Sequence, residues 1–66
     1  MSNQDEIQEH RDAGNAARRR HAEAAEEALF ATFSGDTAAL EAARQKSIAA
    51  EKDYNDHAAA IERLCG

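Results

Sequence analysis

The sequence predicts an all-α fold: an antiparallel helical hairpin that dimerises into a four-helix bundle. Three observations carry this expectation. Seventeen of the 66 residues are alanine and none is proline, a composition that favours uninterrupted helix. The large apolar residues beyond Met1 (Ile7, Leu29, Phe30, Phe33, Leu40, Ile48, Tyr54, Ile61 and Leu64) fall at helical spacings. A single break, Ser34-Gly35-Asp36-Thr37, divides the chain near its middle. The whole of 1–66 therefore reads as one domain with helices over about 3–33 and 37–64.

The first helix can begin after Ser2 or Asn3. Ser2 followed by Asp5, or Asn3 followed by Glu6, places an acid three residues beyond a capping side chain. At the break, Gly35 suits a left-handed backbone position, and Asp36 or Thr37 can cap the second helix. Both helices accept a seven-residue register. In the first, Ile7, Gly14, His21 and Ala28 occupy position a, and His10, Ala17, Ala24 and Ala31 occupy d. In the second, Leu40, Ser47, Tyr54 and Ile61 occupy a, and Ala43, Ala50, His57 and Leu64 occupy d.

Folding back at Gly35 sets Ala31 opposite Leu40, Ala17 opposite Tyr54, Gly14 opposite His57 and Ile7 opposite Leu64. Small residues meet large ones, as a closely packed antiparallel seam requires. The same pairing brings Arg18 toward Glu51, Arg20 toward Asp53 and Glu27 toward Lys46, all of opposite sign. A second apolar surface, Ala22, Ala25, Leu29, Ile48 and Ala58, lies beside the seam and is the expected homodimer interface. So short a chain with so few large apolar groups gains from a second copy or another partner.

The formal net charge of −5 disfavours wholesale wrapping of a polyanion. No stretch is long and apolar enough for membrane insertion and no leader pattern is evident, so a cytoplasmic location is the expectation. The lone Cys65 permits no internal disulfide and reads as an exposed free thiol.

Arg18-Arg19-Arg20-His21 is the one basic run, and Arg18, Arg19 and Arg20 are the nucleic-acid-binding residues if any are. Two of them have acidic neighbours across the seam, and Glu23, Glu26 and Glu27 follow, which favours a solvated face that sets the register. His10 and His57 lie near one another in the hairpin, with Glu6, Asp53 and Asp56 close in sequence. Convergence of these groups would make a nitrogen–oxygen metal site, but neither HExxH nor Glu-x-x-His occurs. The expectation is therefore no metal and no cofactor, with seam histidines satisfied by polar neighbours. Ser34, Ser47 and Cys65 lack an activating histidine and acid arrangement, and Ser34-Gly35 lacks the glycines of a phosphate loop, so no enzyme is expected.

The resulting expectation is a small non-catalytic protein-binding regulator. It would use Leu29, Phe30 and Phe33 as an apolar anchor and Arg19 to set orientation. Two alternatives stand beside it: an RNA- or DNA-associated bundle with a composite arginine patch, and a structural subunit of a larger assembly.

Overall fold

The computed structural model describes residues 3–66, and it is an antiparallel two-helix hairpin. Helix α1 runs Asn3–Ser34 and helix α2 runs Thr37–Cys65. The molecule is a rod of 51 × 14 × 12 Å. At about 1.5 Å of rise per residue, helices of this length account for the long dimension. Asn3 lies within α1, so its reading as the cap gives way; the Ser2 alternative lies outside the described residues.

The turn carries its own reasons for stopping one helix and starting the next. Gly35 adopts φ 71°, the left-handed conformation that side chains resist. Asp36 N–H donates to Ala31 O at 3.0 Å and Gly35 N–H to Thr32 O at 3.3 Å, the nested pair of bonds that satisfies the last carbonyls of α1. Asp36 then turns extended (φ −90°, ψ 93°), and its carboxylate accepts from Ala39 N–H at 3.0 Å. One residue thus closes α1 through its N–H and caps α2 through its side chain. Asp36→Ala is expected to cost about 1 kcal/mol in urea-unfolding free energy, because a first-turn N–H of α2 loses its acceptor. At the far end, Gly66 N–H donates to Glu62 O at 2.8 Å.

The seam is built almost wholly from small residues. Ala17 is fully buried, and Ala24, Ala31, Ala43, Ala50 and Gly14 are buried with it. Among the described residues, Ile7 is the only large side chain that is buried. Each buried alanine removes a single methyl group from water, so the seam gains from backbone proximity and dispersion rather than from large apolar areas. The register departs from expectation at two a positions: His21 is exposed, and Tyr54 is 39% exposed. It also omits Ala60, a buried g-position residue. Ala13 holds the matching g position on α1, and two alanines at facing flank positions were the signal available for it.

Gly14 is buried, yet its close approach leaves room for a methyl group. A Cβ built there would lie 3.8 Å from Tyr54 Cδ2 and 3.9 Å from His57 Cβ, both ordinary contacts. Gly14→Ala is therefore expected to stabilise the hairpin by about 0.5–1 kcal/mol through helix propensity, measured as a higher urea midpoint.

Candidate functional site

The two flanks of the seam differ. On the flank formed by g positions, Arg20 reaches Asp53 and Lys46 Nζ reaches Glu27 Oε2 at 3.1 Å, each bond crossing between helices. These are two of the three expected pairs. On the opposite flank, formed by e positions, Arg18 and Glu51 line the same groove but form no ion pair. The g side is the more enclosed, with Ala60 buried and Ala13 half-buried, whereas Ala25 at an e position is exposed. With all four partners more than 40% exposed, the two formed pairs set register more than they add stability.

The open flank collects the residues expected at a dimer interface. Ala25 and Ile48 line one shallow groove with Ala28 and Ser47. Ala22 lines the next beside Tyr54, and Ala58 a third between Gly14 and Ile61. Leu29 belongs to the same side by register and is 58% exposed, while Ile48 is 55% exposed. Phe30 and Phe33 are more exposed still, at 75% and 82%.

The anchor residues Leu29, Phe30 and Phe33 sit one turn or less apart at positions b, c and f, on the face of α1 turned from α2. Arg19 shares that face at position f but lies about 16 Å toward the open end of the hairpin. Phe30 also borders the groove on the ion-paired flank, beside Glu27 and Lys46. Leu29, Phe30 and Phe33 therefore form a ridge that reaches from one flank around the back of α1.

The arginine run does not make one patch. Consecutive helical residues are about 100° apart, so Arg18 points to the open flank, Arg19 outward and Arg20 to the closed flank, where Asp53 engages it.

The histidines do come together. His10 Nδ1 and His57 Nδ1 lie 2.8 Å apart, with ring centroids 5.1 Å apart and planes inclined at 46°. One nitrogen must donate and the other accept, so this contact requires at least one unprotonated Nδ1. His57 Nε2 lies 3.3 Å from Asp53 Oδ1, and Asp53 Oδ2 is bonded by Arg20. A polar line thus runs His10–His57–Asp53–Arg20 across the hairpin. Of the other acids near the pair in sequence, Asp56 turns to Lys52 at 3.7 Å, and Glu6 stays exposed at the surface. Among the described residues no group of three or more His, Cys, Asp or Glu side chains is arranged to hold a metal.

Cys65 is free and exposed. Among the described residues, no helix is long and apolar enough to cross a membrane. Comparison with protein families, with curated proteins and with solved structures finds no match to this chain.

Proposed function

We propose that this protein is a non-catalytic association module that regulates by packing its apolar helical surface against other helices. The observation that carries this reading is an inversion of the usual distribution: alanines fill the inside, and Leu29, Phe30, Phe33 and Ile48 stand outside. Exposed side chains of this size, with Leu29, Phe30 and Phe33 near the turn and Ile48 farther along α2, supply the apolar core of an interface.

The first partner is a second copy of the chain. A two-fold axis through the open flank would bring Ala22, Ala25, Leu29, Ile48 and Ala58 of each copy together as a four-helix bundle with coiled-coil seams. It would also offer Arg18 and Glu51, unpaired within the hairpin, to one another across the axis. Phe30 and Phe33 would then stay at the rim as the anchor for an amphipathic helix of a partner protein, with Arg19 restricting its orientation.

Sedimentation equilibrium tests the reading directly. The native chain is expected to be a dimer, and Leu29→Glu with Ile48→Glu is expected to raise the dissociation constant by at least about tenfold, since each buries a carboxylate without a partner. A monomer at millimolar concentration overturns the dimer. Phe30→Ala and Phe33→Ala should leave the dimer intact while releasing co-purifying proteins; retention of the same proteins by both variants overturns the anchor.

A further inference from the structure

We infer that His10 and His57 form a two-imidazole site for a borderline divalent metal ion such as Zn2+ or Cu2+, clamping α1 to α2 near the open end of the hairpin. The two Nδ1 atoms already face each other at 2.8 Å from different helices. Two imidazole nitrogens bound to one tetrahedral ion at about 2.0–2.1 Å stand roughly 3.3 Å apart. The ring centroids, 5.1 Å apart, already stand at about the spacing such a pair adopts, so the rings turn rather than separate: each Nδ1 lone pair swings from the other nitrogen toward an ion beside them, and the His10 proton that bridges the pair moves to Nε2.

The second feature is what lies behind His57. Its Nε2 is 3.3 Å from the Asp53 carboxylate, which favours the proton on Nε2 and leaves the Nδ1 lone pair directed at His10. Asp53 is itself held by Arg20, so the carboxylate does not have to be ordered on binding. A carboxylate behind a ligating imidazole is the arrangement that fixes ring orientation and raises ligand basicity. Both histidines are part-exposed, so water completes the coordination shell and the ion has an entry path. Nitrogen donors of this kind suit zinc, copper and nickel rather than calcium or magnesium.

With two protein ligands, the site is open and exchangeable, and its effect is on the hairpin. Residues 10 and 57 close a loop that contains both helices and the turn, so an ion at this point resists splaying of the ends farthest from Gly35.

The test uses the untagged full chain carrying Cys65→Ser, which removes the one thiol. ZnCl2 and CuCl2 are titrated at pH 7.5, with binding followed by calorimetry and thermal unfolding by circular dichroism. We expect one ion per hairpin and a rise in Tm of about 10 °C at tenfold excess over Kd. The rise should shrink as the pH is lowered, because a metal ion competes with protons for nitrogen ligands. His10→Gln and His57→Gln should each abolish the Tm rise, whereas His21→Gln, which removes the one exposed histidine outside the pair, should not. Asp53→Asn should weaken binding by about tenfold. Metal-free circular dichroism of each variant separates loss of a ligand from loss of the fold, and the shift of the imidazole ring resonances on adding Zn2+ reports the ligands without relying on stability. Absence of any binding up to 1 mM, or binding that survives His10→Gln or requires His21, overturns the inference.

Discussion

Ala17→Leu is expected to destabilise the hairpin by about 2–3 kcal/mol. Ala17 is fully buried in the seam between the two helices, with alanine or glycine at most buried positions around it. Three added heavy atoms have nowhere to go except between the backbones, so the helices must separate and every neighbouring alanine contact loosens. A domain of this size has a total stability of roughly 3–10 kcal/mol, so the substitution takes a large share of it. Urea unfolding followed at 222 nm reads the loss. Ala59→Leu is the matched control: Ala59 is exposed at an outward position of α2, where leucine has nearly the propensity of alanine. A change within about 0.5 kcal/mol is expected there. Equal stability of Ala17→Leu and the native chain would mean that the seam is not tightly packed at this level.

Gly35→Val is expected to cost about 2 kcal/mol. No atom lies within 4 Å of a Cβ built on Gly35, so the cost is not a clash with neighbours. It comes from the backbone, because φ 71° forces a β-branched L-residue against its own carbonyl. That origin has a distinguishing consequence. A synthetic chain with D-alanine at position 35 meets the same open space with the opposite handedness and should gain about 0.5–1 kcal/mol by restricting the unfolded state. Destabilisation by both residues would place the constraint in packing around the turn instead of in backbone handedness.

Much of the hairpin was legible because alanine abundance, the absence of proline and the Ser34-Gly35-Asp36-Thr37 break all pointed to the same two helices. The d-position alanines 17, 24, 31, 43 and 50 are buried as the register placed them. The register was less informative wherever a large or polar residue met a small one. Tyr54 and His21 occupy a positions, yet His21 is exposed and Tyr54 keeps 39% of its surface in solvent, because a seam lined by alanine is too shallow to enclose a ring fully. Of the candidate site, the nearness of His10 to His57 followed from their neighbouring d positions in the seam. The approach of their Nδ1 atoms and the choice of Asp53 over Glu6 and Asp56 depend on rotamers, which spacing does not specify.

The helices, the turn and the small-residue seam were readable from the residues alone, since these rest on local propensity, a left-handed glycine and period. Which flank closes was set only when the two helices packed. Arg20–Asp53 and Lys46–Glu27 formed, while Arg18 and Glu51 were left apart, although all three pairs had opposite charge. The physical reason is packing: small Ala13 and Ala60 at g positions let that side of the helices come together, which brings the g-position charges within reach of one another. Leu29, Ile48 and Tyr54 stay exposed along the open side, where the proposed partner helices would pack.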